Sequence, residues 1–207
     1  MVELRTRAVL GQRSAIVAGI AAGAMASLGA YHAGDRGPGA FDASVARGVH
    51  EVLGGQPDLL QFLVLPTQPY VLLPVIALIA LVSALHRDWT AAALAVGGPA
   101  LAVAANTWLL KPLFERYNDG HLAYPSGHTV SLVSVLTVLT LLARPGLAKA
   151  VVPAFGTLLV LAAGTGMIGL GYHYATDVIG GVLFAVAAVL ALAIVLRTRS
   201  PRREQAR

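Results

Sequence analysis

The chain of 207 residues is 57% hydrophobic and only 12% charged, carries a formal net charge of +5 and has no cysteine. Soluble domains carry roughly 25% charged residues, so this composition excludes an ordinary water-soluble fold and points to an integral membrane protein. Without a thiol, neither a disulfide framework nor a thiolate nucleophile is available, and the positive balance is explained by membrane topology and anionic lipid, with no need for nucleic acid.

A helix needs about 20 apolar residues to cross roughly 30 Å of hydrocarbon. Six runs, at residues 14–31, 70–85, 90–110, 129–143, 151–171 and 178–196, contain no Lys, Arg, Asp or Glu. The second and fourth are short and are expected to extend into their flanks. The first follows Arg5, Arg7 and Arg13. That pattern also suits a signal peptide, but the run is long for one and reads as a retained span. Its Gly19-x-x-x-Gly23 spacing suits a helix packed on a neighbour, and chance explains it equally well in so glycine-rich a chain.

Residues 32–58 form the longest polar connection. Within it Phe41, Val45, Val49, Val52 and Leu53 recur at helical spacing, with Asp42, Arg47, His50 and Glu51 between them. This predicts an amphipathic helix at the interface, with packing favoured over a lid. Pro66 and Pro69 break the approach to the second run, and the short loop 86–89 makes runs two and three an antiparallel pair. Asn106 falls inside the third run, where an interhelical hydrogen bond is its expected task. Trp89 and Trp108 suit an aromatic belt. His32, His50 and His86 read as interface or loop residues.

The polar groups that interrupt the apolar runs carry the chemistry. Lys111 ends the third run and Arg116 follows five residues later. A lone lysine there reads as a snorkelling anchor, but this pair precedes Pro125-Ser126-Gly127-His128. Ser126 is placed to cap the next helix, and Gly127 lets a backbone N–H approach a ligand. The free N–H groups of a helix start bind anions. His128 stands in that first turn, able to protonate a leaving oxygen. His173 and Asp177, four apart, share a helix face if both are helical. The carboxylate then sets the imidazole's tautomer and leaves its other nitrogen free to attack.

This set resembles the type 2 phosphatidic acid phosphatase superfamily over residues 111–177, the region in which the family carries three motifs. These are Lys, six residues, Arg-Pro; then Pro-Ser-Gly-His; then Ser-Arg, five residues, His, three residues, Asp. The resemblance implies that Lys111, Ser126 and Gly127 hold phosphate, that His128 is the general acid, and that His173 is the nucleophile oriented by Asp177. It also implies a phosphohistidine intermediate and no metal or other cofactor. The chain departs from the pattern twice, with Asn118-Asp119 in place of Arg-Pro and Gly166-Met167 in place of Ser-Arg. A phosphate needs several donors, so Arg116 is expected to fill one vacancy and Asn118, His121, Tyr172 or Tyr174 the other.

The expectation is a single domain over residues 1–207: an all-α, polytopic bundle of six membrane helices with an extracytoplasmic amphipathic helix. Six crossings put 11 of the 15 basic residues on the side of both termini, leaving Arg36, Arg47, Lys111 and Arg116 opposite. The positive-inside rule makes the termini cytoplasmic and the site extracytoplasmic, in a plasma (inner) membrane. The expected activity is hydrolysis of a phosphomonoester or diphosphate on a membrane lipid, polyprenyl-linked or glycerophospholipid. A non-catalytic binder or translocator of lipid phosphates is the alternative. A small transporter is less apt, since the spans hold no ionisable residue.

Overall fold

Backbone groups with no water to bond must bond one another, so long apolar stretches become helices. The protein's computed structural model describes the backbone of residues 2–199 and the side chains of residues 12–198; the charges of Arg5, Arg7, Arg199, Arg202, Arg203 and Arg207 lie outside the described side chains. The helices are α1 (Val2–Tyr31), α2 (Ala40–Leu53), α3 (Pro57–Val64), α4 (Pro69–Leu85), α5 (Trp89–Ala105), α6 (Lys111–Phe114), α7 (Gly127–Leu142), α8 (Leu147–Gly169) and α9 (Ala175–Arg199). Among the described residues, five stretches are long and apolar enough to cross a membrane: Gln12–Tyr31, Pro57–Leu85, Trp89–Phe114, Leu147–Gly169 and Ala175–Thr198. Helix α7 has 16 residues, a length of about 24 Å.

Two helical stretches run further than their apolar cores suggest. A 3₁₀ turn at Leu65–Thr67 joins α3 to α4, so the prolines bend this 29-residue stretch without ending it. Pro69 opens α4 in the first turn, where its missing N–H costs nothing. A π-helical turn at Asn106–Leu110 links α5 to α6 and carries the helix past Lys111 to Phe114. Among the described residues, the non-helical elements form a hairpin: β1 (Tyr117–Asn118) pairs antiparallel with β2 (His121–Leu122), Tyr117 opposite Leu122. Asp119 and Gly120 both take positive φ in the turn between them, the conformation that favours Asp-Gly in tight hairpins.

Helix α9 lies at the centre, packed against α1, α2, α5 and α7. Val138 of α7 and Val189 of α9 are fully buried with Leu94 and Ala95 of α5. A second core gathers Val64, Leu132, Val135, Ala163 and Met167. Helix α1 docks through Ala21 and Met25, which are buried. Gly29 admits the rings of Phe114 and Tyr124 at a distance that a methyl group would forbid. Gly19 and Gly23 have nothing within 4 Å, so their spacing makes no contact within this chain.

The outer surface exposes Ile20, Leu73, Leu101 and Leu161 among many large apolar side chains, as lipid-facing helices do. Trp89 and Trp108, both well exposed, stand about 28 Å apart along one helical stretch. That separation matches the hydrocarbon thickness and suits two interfacial rings. Helix α2 forms where the amphipathic pattern predicts, and its inner face follows residues 42, 45, 49 and 53. Its buried residue is the charged Asp42, while Phe41 and Val52 of the expected apolar stripe are exposed.

Gly166 of α8 lies close against α3, since a Cβ there would lie 2.7 Å from the Leu60 carbonyl oxygen. Gly166→Ala is expected to destabilise the protein by about 1–3 kcal/mol, the usual cost of overpacking. Gly23→Ala, with open space around it inside α1, should unfold no lower than wild type in the same detergent thermal scan, since alanine is the better helix former by about 1 kcal/mol.

Candidate active site

Three connections meet at one end of the bundle. The Gly34 N–H donates to the Phe114 carbonyl (2.9 Å) and the Tyr117 N–H to the Asp35 carbonyl (2.8 Å), tying the segment after α1 to the hairpin. The Asn118 side-chain amide donates to the Gly171 carbonyl (2.8 Å), tying the hairpin to the turn before α9. The Ser126 N–H donates to the Asp177 carbonyl (3.0 Å), tying the head of α7 to that of α9.

Ser126 caps α7 as its sequence context predicts: its hydroxyl accepts from the Thr129 N–H (3.4 Å) and the Thr129 hydroxyl (3.1 Å). The Ser126 side chain is fully buried, and its own proton points to the Met167 sulfur (3.8 Å). It is thus occupied within the fold. The N–H groups of Gly127 and His128 begin the helix and find no acceptor among the described residues, as the first donors of a helix do. The Tyr124–Pro125 bond entering this turn is cis. The Tyr124 hydroxyl donates to the Met25 carbonyl (2.6 Å); burial and the nearby Asp177 charge raise its pKa above the usual phenol value.

His173 lies in the turn before α9 and Asp177 in that helix's first turn, so a shared helix face is not what joins them. One Asp177 oxygen accepts from the Tyr174 N–H (2.9 Å), the backward-reaching half of a capping box, and lies 3.7 Å from His173 Nδ1. That gap is longer than a hydrogen bond, and Nδ1 is buried without a partner. The His128 and His173 rings meet edge to face at 5.8 Å, and the Tyr172 ring stacks with His128 at 6.3 Å. Lys111, partly buried, donates from Nζ to the Leu122 carbonyl and lies within electrostatic reach of Asp177 and His128. Asn106 is buried beneath them, its amide donating to the Pro125 carbonyl (3.3 Å) and its Oδ1 unpartnered.

Arg116 departs furthest from the sequence expectation. Proposed there as a phosphate ligand, it has no exposed surface. Nη1 donates to Asp177 Oδ1 (2.7 Å) and the Thr176 hydroxyl (2.6 Å), and Nη2 to Asp42 Oδ2 (2.6 Å). The Tyr174 ring covers the guanidinium face at 4.7 Å. Asp42 also accepts from the Thr176 N–H and hydroxyl, each at 2.9 Å. The structure therefore gathers His128, His173, Asp177, Lys111, Gly127 and the buried Ser126 at one end of the bundle. His121 stays exposed on the hairpin, and the Asn118 amide is spent on Gly171. Asp42 and Thr176 were missed in the sequence. Asp42's position on the inner face with Val45 and Val49 was the available signal. Among the described residues, no group of three or more His, Asp or Glu is placed to hold a metal ion.

Burial alone would raise the pKa of the Asp42 carboxyl, but the Thr176 donors and Arg116 outweigh it and hold it below the usual 3.8. A depressed folded-state pKa stabilises the protein above the unfolded value and loses that contribution as pH falls through the folded one. The thermal stability gap between wild type and Asp42→Asn should therefore be constant at neutral pH and shrink below about pH 4. A gap that widens on acidification would contradict this assignment.

The PAP2 superfamily profile matches residues 77–201, more than half of the chain and all of the site except the α2 contribution. Comparison with curated proteins and with solved structures returned no match. On the family match, the chain belongs to the PAP2 superfamily.

Proposed function

We propose that the protein is a lipid phosphatase, hydrolysing a phosphomonoester or diphosphate on a membrane lipid through a phosphohistidine. The observation that carries this reading is the 5.8 Å approach of His128 and His173, with Lys111 about one helical turn beyond the interfacial Trp108. A phosphate on a lipid headgroup sits at that depth, while its tail remains in the bilayer.

In the first step the free nitrogen of His173 attacks phosphorus in line, and the P–O bond to the leaving group breaks. His128 gives its proton to that oxygen. Asp177 holds the Nδ1 proton of His173, its 3.7 Å separation closing as substrate orders the turn; catalytic hydrogen bonds are often long before substrate binds. Lys111 and the N–H groups of Gly127 and His128 face the charge on the equatorial oxygens. In the second step, water deprotonated by His128 attacks phosphorus, the N–P bond breaks and inorganic phosphate leaves.

The arrangement of charges supports six crossings, with α7 as the shortest, both termini cytoplasmic and the site extracytoplasmic in the plasma (inner) membrane. Tyr172, stacked on His128, and His121 are the remaining groups near the mouth that can donate to phosphate.

Purified protein in detergent should release phosphate from a polyprenyl diphosphate or a phosphatidate. His173→Ala should lower the rate by roughly a thousandfold or more, and His128→Ala by about 10²–10⁴-fold. Label from a ³²P-substrate should stay on wild type, and not on His173→Ala, after an alkaline quench. Equal phosphate release by wild type and His173→Ala would leave the non-catalytic lipid-phosphate binder as the reading.

A further inference from the structure

The positive charge that the sequence offers in place of the family's arginines is already committed. Arg116 has five N–H donors. Both protons of Nη1 are taken by Asp177 and Thr176, and Nη2 is engaged by Asp42. Asp42, Arg116 and Asp177 are each 0–1% exposed, and Thr176 is 6% exposed. Nε has no partner but is buried, and one guanidinium face lies against the Tyr174 ring, so no accessible edge remains for a phosphate oxygen. What the guanidinium does touch is the carboxylate beside His173.

We propose that Arg116, with Asp42 and Thr176 behind it, positions Asp177 for His173 and makes no contact with the substrate phosphate. Asp177 Oδ1 is held by Arg116 and Oδ2 by the Tyr174 N–H, so the carboxylate cannot rotate toward the site without breaking a charge-assisted bond. Its direction toward His173 Nδ1 is set by those two anchors. Asp42 fixes the other side of the guanidinium and also accepts both donors of Thr176, the residue next to Asp177. Asp42 comes from α2, outside the family-matched residues 77–201. The device is therefore assembled across the boundary of the matched region and bolts the amphipathic helix to the catalytic turn. It rests on the phosphatase reading only in calling Asp177 the partner of a nucleophile.

The test uses the full chain in detergent, with orthovanadate as the phosphate probe. Arg116→Met should lower kcat by about 30-fold or more, as a displaced catalytic group does, while changing vanadate affinity by less than about threefold. Lys111→Met should weaken vanadate by about tenfold or more, the loss expected for one charge-assisted bond. His173 is faced by Asp177 and by His128 from α7. Removing the Arg116 charge leaves Asp177 freer to hold a proton on His173, so the acidic limb of the kcat–pH profile should move to higher pH.

Arg116→Met weakening vanadate as much as Lys111→Met would overturn the proposal. So would a variant that loses only thermal stability, with kcat per folded molecule and the pH profile unchanged. If Arg116→Met does not fold, Asp42→Asn keeps the shape of the cluster and should still lower kcat with vanadate affinity retained; unchanged kcat would be decisive against a positioning role. Failure of wild type to release phosphate would refute the phosphatase reading alone. In that case Asp42→Asn, Arg116→Lys and the double variant still decide the matter through their unfolding temperatures. Losses that add independently would refute the shared network, and a double variant less destabilised than the sum would support it.

Discussion

A guanidinium with no exposed surface joins the hairpin segment to α2 and to the first turn of α9. Taking such a charge out of water costs several kcal/mol, recovered only where partners and hydrogen bonds are close to ideal. Arg116 has two carboxylates and a hydroxyl at 2.6–2.7 Å, with only its buried Nε left unpartnered among the nitrogens of the guanidinium. Its partners come from α2 and from the first turn of α9, separated from it by 74 and 61 residues. Losing one partner would strand a charge in the interior, so the three segments depend on one another. The alignment of α2, the hairpin and the turn before α9 is in this sense one electrostatic decision.

That decision needs helices able to approach closely, and small residues provide the room. Gly29 lets α1 receive the Phe114 and Tyr124 rings, Gly166 lets α3 lie on α8, and Gly181 lets α9 meet the Ser126 carbonyl at a distance that no Cβ would permit. Gly166 and Met167 stand where the family's third motif has Ser-Arg. In this chain α3 occupies the space beside Gly166, and Met167 is buried with its sulfur against the Ser126 hydroxyl. A long cation at position 167 would have to displace that packing. Its absence is part of how α3 is accommodated.

Much of the fold was readable in the residues because apolar length and charge exclusion act locally. All six apolar runs became helical, and the Ser126 cap followed from its position before Gly127. What escaped was non-local or conformational. The Asp42–Arg116 pair joins segments 74 residues apart, and no local pattern states which acid a buried arginine will choose. Asn118-Asp119, read as a loss of Arg-Pro, is also the start of an Asp-Gly hairpin turn, a signal present in the sequence and passed over. His173 and Asp177 come together because the turn before α9 folds back on its own first N–H groups, and a spacing rule for continuous helix does not describe that.

The charge arithmetic of the site follows from the same network. Asp42, Arg116 and Asp177 together carry one net negative charge, and Lys111 cancels it. With both histidines neutral, the region offers an incoming phosphate no net positive charge, only directed donors. Such a site discriminates by geometry: the Lys111 ammonium and the two helix-start N–H groups must converge on the same oxygens, since a diffuse field cannot compensate for poor alignment. It also gains more than an arginine-rich site would from protonating an imidazole, because that proton is its first surplus charge. In the proposed mechanism, protonated His128, the acid for the leaving oxygen, thus also makes the site attractive to the anion on which it acts. Substrate capture and acid catalysis are then coupled through one proton, a coupling that follows from Arg116 being paired with Asp42 and Asp177.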